Sequence, residues 1–343
     1  MDVMGTAPGF EVSLGNFTFT QVDPKGLRSI MVEDHVDMAG HCTVIVGCSE
    51  NDPGYEFKMG DKVDVNLKTS DHSVFKGEIV AIEHSFQIGG TSTMILRCVD
   101  SVHRLGRGFK TRFWNDMSDA DVVKKVCSEA NLSVEADPTK EQYPYILQRN
   151  ETDIAFVKRL AARNNFQVRV EQDKLFFKKA DLSSNAQKVE MGKNLVSLNV
   201  GYNSMNQVQK VVVRGWSVKD KAEVVGTYEA KSVTKIGGGK LGSQESAVFG
   251  SDSVRYITDV PVSSQEMANQ MAEAEMERLA RQFCRGKCAV RGNNFIRAGT
   301  IVEFSGFSKG LNGKYYVISS RHSINPKTGY STEFNFCSNT MGN

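Results

Sequence analysis

The sequence predicts an α+β chain, mainly β, in which two β-rich regions flank a small α/β unit. Three observations carry this. Apolar and polar residues alternate with the two-residue period of half-buried strands in the first hundred positions, and β patterning resumes beyond residue 191. Between 109 and 190 the period changes to that of amphipathic helices that start at capping residues. Strands opened by glycine in the first region recur in similar order in the last.

In the first region, 1–108, Val63, Val65 and Leu67 alternate with Asp64 and Asn66, and Gly60-Asp61 supplies the preceding turn. A second strand is expected over 74–84 and a third over 93–99, after a turn at Gly89-Gly90. In the middle unit, Ser118 and Asp121 form a capping box for a helix whose face is Val122, Val123, Val126 and Ala130. Thr152 caps a second helix, with Ile154, Val157, Leu160 and Ala161 inward. A hairpin closes the unit: Phe166, Val168 and Val170, a turn at Gln172-Asp173, then Leu175 to Phe177. In the third region, 191–343, Val211 and Val213 mark a strand, and the Gly- and Ser-rich stretch 235–253 is expected to be an exposed loop. A helix over 263–283, capped by Ser263 with Glu266, carries the stripe Ala268, Ala272, Met276, Leu279 and Phe283. It should pack on the barrel or sandwich expected of this last β region, leaving its Glu- and Arg-rich side to solvent, a central channel or a partner. Strands over 301–304, 315–324 and 332–337 follow.

An internal echo runs through these elements. Gly60-Asp61, Phe75-Lys76-Gly77 and His84 come before Thr93, as Gly299-Thr300, Leu311-Asn312-Gly313 and His322 come before Thr332. The match is loose, because the glycine spacings differ by three residues.

Composition narrows the function. With 42 basic and 40 acidic residues the formal charge is +2, which gives no electrostatic footprint for nucleic acid or an anionic membrane. No apolar run approaches the roughly 20 residues that span a bilayer. The opening MDVMGTAPGF is not a secretory signal. Seven irregularly spaced cysteines without C-x-x-C are expected to be reduced thiols of a protein made in the cytosol.

No catalytic, cofactor or metal site is assigned. His35, His41, Cys42 and Cys48 cluster in sequence, but zinc wants two close ligand pairs, and adjacent residues of a strand face opposite ways. Cys284 and Cys288, four apart at the expected helix end, are taken as semi-buried thiols. Gly250-Ser251-Asp252-Ser253 lacks a nucleophile elbow, and Gly237-Gly238-Gly239-Lys240 lacks the P-loop spacing. Glu273, Glu275 and Glu277 with Arg278 and Arg281 read as a solvated helix face. Trp114 and Trp216 lie beside apolar element starts and are expected in the core, so no aromatic platform is anticipated.

The segment from Val74 to Leu132, with Phe75-Lys76-Gly77, Val99-Asp100, Leu105, Arg112-Phe113 and the Ser118-capped helix, resembles the late control protein D family of phage tails. The same pattern occurs in the hub portion of VgrG proteins and in hubs of extracellular contractile injection systems. Asn150, Thr152-Asp153, Phe156 and Arg159-Leu160-Ala161 with the closing hairpin are similar to the family's middle domain. The resemblance covers about 60–190 well and the remainder by arrangement. It implies two tube-like β-barrel domains, 1–108 and 191–343, around an α/β insertion, 109–190, and a homotrimer. Such a baseplate hub joins a hexameric inner tube protein to a trimeric central spike protein among other baseplate components. It is made in the bacterial cytoplasm, incorporated in a virion or injection particle, and is not an enzyme. Because VgrG proteins continue into a spike and this chain stops at Asn343, a separate spike protein is implied. The rival readings are a tail-associated peptidoglycan hydrolase and a cell-wall-binding module.

Overall fold

The structure, a computed structural model, describes residues 9–22, 26–48, 55–67, 73–88, 90, 92–218, 220–250, 252–262, 264–307, 310–325 and 329–342. It is mainly β, organised on a curled, half-barrel sheet of 13 strands. The chain begins with β1 (Phe10–Leu14), β2 (Phe17–Thr20), β3 (Leu27–His35), β4 (His41–Cys48), β5 (Lys62–Leu67), β6 (Ser73–Ser85) and β7 (Ser92–Val99). Their order is β3-β4-β7-β6-β5-β1-β2, antiparallel throughout. The three strands expected here are β5, β6 and β7. Val63, Val65 and Leu67 join Phe10, Ile30 and Leu96 in one core, while the intervening Asp64 and Asn66 are half-buried. Gly89 of the expected turn lies outside the described residues.

A layer over this sheet opens with β8 (Lys110–Trp114), β9 (Met117–Ser118), α1 (Asp119–Glu129), β10 (Ser133–Ala136), β11 (Gln142–Tyr143), β12 (Ile146–Glu151), α2 (Asp153–Arg163), β13 (Phe166–Glu171) and β14 (Lys174–Lys179). Both expected caps form: the Asp121 amide donates to Ser118 Oγ at 3.2 Å and the Ala155 amide to Thr152 Oγ1 at 3.3 Å. Gln172 and Asp173 turn the β13–β14 hairpin with φ of +50° and +62°. Side chains from β8 and β12 converge on Asp153 at the start of α2. Its carboxylate accepts from Lys110 Nζ at 2.6 Å, Arg112 Nη2 at 2.8 Å and Gln148 Nε2 at 2.9 Å. Burial works to raise the Asp153 pKa, and these cationic and amide partners outweigh it, so the carboxyl sits below its usual range.

The remainder comprises β15 (Gln187–Glu190), β16 (Leu195–Tyr202), β17 (Lys210–Ser217), β18 (Ala222–Glu229), α3 (Gly242–Ser246), β19 (Val254–Ile257), α4 (Gln265–Ala280), β20 (Cys284–Arg291), β21 (Ile301–Ser305), β22 (Gly313–Asn325) and β23 (Gly329–Ser338). Here the structure corrects several expectations. Strands β17, β18 and β19 form a separate three-stranded sheet, and α4 packs on β18 and β17 rather than on the large sheet. The fit is close: a Cβ on Gly226 of β18 would stand 2.2 Å from the Ala268 carbonyl carbon of α4. Met267, Ala272, Met276 and Leu279 share one core with α1, α2 and the β13–β14 hairpin. The α4 cap is Ser264, which accepts from the Met267 amide at 3.1 Å, and Ser263 lies outside the described residues. The charged side of α4 is only partly solvated. Glu277 is buried and accepts the Thr234 amide at 3.0 Å, because the chain from β18 to α3 crosses it.

The stretch 235–253 is also not simply an exposed loop. Ile236, Leu241, Gly242, Ser243 and Ser246 are buried, and α3 lies within it. Its glycines allow close approach: added Cβ atoms would stand 2.2 Å from Met341 O at Gly239 and 2.3 Å from the Phe283 ring at Gly242. Ser251 lies outside the described residues.

The two halves of the large sheet repeat one pairing pattern. The second half runs β16-β20-β23-β22-β21-β15, against β3-β4-β7-β6-β5-β1 in the first. A constant shift in residue number carries Glu78↔Val99, Ile79↔Cys98, Ala81↔Arg97 and His84↔Met94 onto Tyr316↔Cys337, Val317↔Phe336, Ser319↔Asn335 and His322↔Thr332. The bulged residue, Val80 or Ile318, is at the same place. So is the bulge between Leu27 and Ser29 in β3, matched between Leu195 and Ser197 in β16. The turn glycines match as well. Gly60 donates to Ile79 O at 2.8 Å and Gly299 to Val317 O at 2.9 Å, with φ of +92° and +90°. One difference is that β15 pairs parallel to β21, whereas β1 pairs antiparallel to β5. The halves join where β3 lies antiparallel to the later part of β22.

Among the described residues no helix is long and apolar enough to cross a membrane.

Candidate assembly surfaces

The residues weighed as metal ligands or nucleophiles are dispersed. In β4 the side chains of His41 and Cys42 alternate, one exposed and one buried, and His35 Nδ1 is bonded to the Val36 carbonyl. The side chain of Cys48 lies outside the described residues. Cys284 and Cys288 sit in β20, not at a helix end, and burial pushes each thiol up to about 12. Among the described residues no group of three or more His, Cys, Asp or Glu side chains is placed to hold a metal.

The joint between the halves holds a buried polar chain that sequence reasoning missed. Asp34 of β3 accepts from Arg297 Nε at 2.5 Å and from the Ser320 amide at 3.1 Å, and is also bonded to the Ser320 hydroxyl. Ser320 Oγ is 3.0 Å from His322 Nε2, and His322 Nδ1 is 2.8 Å from the Tyr330 hydroxyl. The three residue types of a hydrolytic triad are present, but in the order Asp–Ser–His. A nucleophilic serine needs its histidine between itself and the acid, whereas here the acid bonds the serine directly. Burial, reinforced by the Arg297 charge, lowers the His322 pKa to about 3, so the ring is neutral. For Asp34, burial acts to raise the pKa, and the Arg297 charge with the hydrogen bonds from Ser320 and Arg297 reverses it. The geometry fastens two strands together. The sequence echo named His322 but not its partners, because Asp34, which closes the chain, lies 286 residues before Ser320.

Among the unpaired edges of the sheet in the described residues, two belong to strands matched by the internal repeat. Strand β16 pairs only with β20, so one edge of an eight-residue strand is bare among the described residues. Strand β6 extends past β5: its residues 73–78 pair with β5, and 81–85 pair with β7 alone. Just beyond, Phe86 is 69% exposed and stacks on His84 with centroids 6.0 Å apart.

A groove of about 1080 Å³ runs between β12 with α2 on one side and β17 with the segment before α4 on the other. Trp216 lines it and is 59% exposed, which corrects its expected place in the core. On a two-faced strand, Trp216 points away from the buried Val211 and Val213 side. Tyr145, also in the groove, stacks on the exposed Phe113 at 5.5 Å. Trp114 is half-buried, stacked on Phe156 at 5.2 Å under the Arg112 guanidinium.

Comparison with known proteins places this geometry. The model of the family described as Alg8 N-terminal domain matches residues 53–326. No curated protein sequence matches the chain. Among solved structures, it is similar to the 43 kDa tail protein of prophage MuSo2 from Shewanella oneidensis, with a TM-score of 0.73 at 14% identity over 96% of this chain and 98% of that one. The tail protein from Neisseria meningitidis MC58 gives 0.72 at 13% identity, covering 96% of each chain. The E. coli c3393 protein is described as a component of the type VI secretion system with structural similarity to T4 bacteriophage tail proteins gp27 and gp5. It gives 0.65 at 10% identity, covering 95% of this chain and 76% of that one. At these identities the likeness is one of fold.

Proposed function

The chain belongs to the Alg8 N-terminal domain family, and from its shared fold with phage tail proteins we propose that it is a structural hub subunit of a contractile tail or tail-like injection particle. In this reading it is a late control protein D or VgrG-like hub. Its two sheet halves act as two tube-like barrels, and three chains form a ring joining a hexameric inner tube to a trimeric spike. The observation that carries the reading is the repeated strand order and register of the two halves. Two similar units per chain, taken three times, offer six quasi-equivalent sites to a six-fold tube while remaining three-fold for a spike. A closed heterologous ring also covers the bare strand edges that would otherwise invite open-ended pairing. The buried, out-of-order Asp34–Ser320–His322 chain supports a structural role over hydrolysis. Native mass measurement of the purified chain and of the assembled particle is expected to give trimers. A dimeric or hexameric hub in the particle refutes the arrangement.

A second reading, a cell-wall-binding module, is favoured by one observation: exposed Trp216 and Tyr145 in an open groove form an aromatic surface of the kind sugars stack on. If it holds, the chain sediments with purified peptidoglycan and Trp216→Ala abolishes this. Under the hub reading neither protein sediments.

A further inference from the structure

We infer that the bare edge of β16 in one copy pairs antiparallel with residues 81–86 of a second copy, in the register that β3 and β22 already use inside the chain. The inference deepens the hub reading and rests on it for the number of copies, but the pairing itself follows from the internal repeat.

Within the chain, β22 shares one side between two partners. Its beginning pairs with β21 from Ile301↔Tyr316 to Phe304↔Gly313, and its later part pairs with β3 from Ser319↔His35 to Ile324↔Ile30. Strand β6 is the counterpart of β22 by register, bulge and glycine turn. Its beginning pairs with β5, the counterpart of β21, and its later part on that side meets no strand among the described residues. Strand β16 is the counterpart of β3, with the same bulge and the same relation to its neighbour, and its outer edge is bare. Among the described residues the β16 edge and the later part of β6 are therefore left unpaired, whereas inside the chain the equivalent pair is joined. Transferring the β22–β3 register gives Ile82 opposite Tyr202, His84 opposite Val200 and Phe86 opposite Leu198.

The side chains fit this use. The internal equivalents of Phe86 and Leu198 are Ile324 and Ile30, both buried in the joint. In the isolated chain Phe86 is largely exposed and Leu198 half-buried, as expected of a joint whose second half comes from another molecule. The β16 sequence, LVSLNVGY, contains no proline and no charged residue. Those are the devices by which free edge strands are normally protected. The polar pair Asp34 and Ser320 of the internal joint is replaced by Tyr202 and Ile82, an uncharged aromatic–aliphatic pair suited to a contact formed by association.

The test uses full-length chains. Phe86→Cys and Leu198→Cys are placed on two differently tagged copies, mixed, assembled and treated with a short bismaleimide. Phe86→Cys with Tyr202→Cys serves as the out-of-register control. The in-register mixture is expected to give a product containing both tags, and the doubly substituted single chain a ladder ending at three chains, while the control gives neither. Phe86→Glu, at an exposed position, should weaken association more than about tenfold without changing the far-UV spectrum or unfolding midpoint of the monomer. Trimers by mass that do not cross-link in register, or that tolerate Phe86→Glu, overturn the edge pairing and leave the hub reading standing. A chain that stays monomeric in the particle overturns both.

Discussion

His322 and Asp100 are both buried, and burial pushes their protonation in opposite senses. His322 is lowered to about 3, by burial first and then by the Arg297 charge. Asp100 caps the turn that follows β7, accepting from the Gly40 amide at 2.5 Å and the Val102 amide at 3.0 Å. Burial raises its pKa to about 7, the two amides only partly offset this, and the Asp173 charge adds to it. Between about pH 4 and 6.5 the unfolded chain holds a proton on His322 that the native state lacks, so this group's contribution to stability falls as pH drops. Over about pH 4 to 7 the native state holds a proton on Asp100 that the unfolded chain has released, so that contribution falls as pH rises. Each is worth about 1.4 kcal/mol per pH unit at full separation, so the two oppose one another. His322→Gln should therefore lose less stability relative to wild type at about pH 4.5 than at about pH 6.5, and Asp100→Asn should show the reverse trend. Urea denaturation at the two pH values checks this. Parallel trends for the two variants would refute it.

At the scale of elements, what could be read in advance was whatever local physics decides. Strands β5, β6 and β7 were legible because one face is buried and the other wet, and α1 and α2 because Ser118 and Thr152 supply the caps. The places that misled are decided by what lies across from them. The glycines of 235–253 look like flexibility in sequence, yet they sit where Met341 and Phe283 approach too closely for a side chain. The stripe on α4 was visible, but no spacing says that it covers β17 and β18 instead of the large sheet. Trp216 stood beside apolar residues on a strand whose other face is the buried one. The candidate surfaces were legible only in part: the Gly60 and Gly299 echo pointed to the repeat, while the Asp34–Ser320–His322 joint depends on Asp34, 286 residues before Ser320, and left no local signal. The α4 contact gives a direct check. Gly226→Ala puts a methyl against the Ala268 backbone, which cannot rotate away, and should destabilise the chain by about 1–3 kcal/mol. An unchanged unfolding midpoint would show that α4 shifts freely and that this contact does not fix it.

For the whole molecule, the question is whether the α/β layer is an insertion that the sheet can do without. The sequence marks 109–190 as an insertion with its own helices and hairpin. The packing argues otherwise. The layer is assembled from two stretches of chain separated by β15 and β16. Val123, Phe156 and Leu160 from the first share a core with Val213, Met267, Ala272 and Met276 from the second. Polar contacts repeat the link: Gln270 Nε2 donates to the Arg163 carbonyl at 3.2 Å, and Lys179 pairs with Glu273 at 3.0 Å. The layer also grips both halves of the sheet. Val168 donates to Asp37 Oδ1 at 2.8 Å beside the β3–β4 turn, and the Tyr316 hydroxyl of β22 bonds Gln167. An autonomous insertion has its own core and few crossing contacts, and this unit fails both conditions. Replacing 109–190 by a short flexible linker is therefore expected to strip α4 of part of its cover. The product should bind a hydrophobic dye and unfold without a cooperative transition, since exposed apolar surface and lost packing go together. A soluble product with a sharp transition and near-UV signal from Trp216 would show that β17, β18, β19 and α4 are held by the sheet alone, and that the layer is two units rather than one.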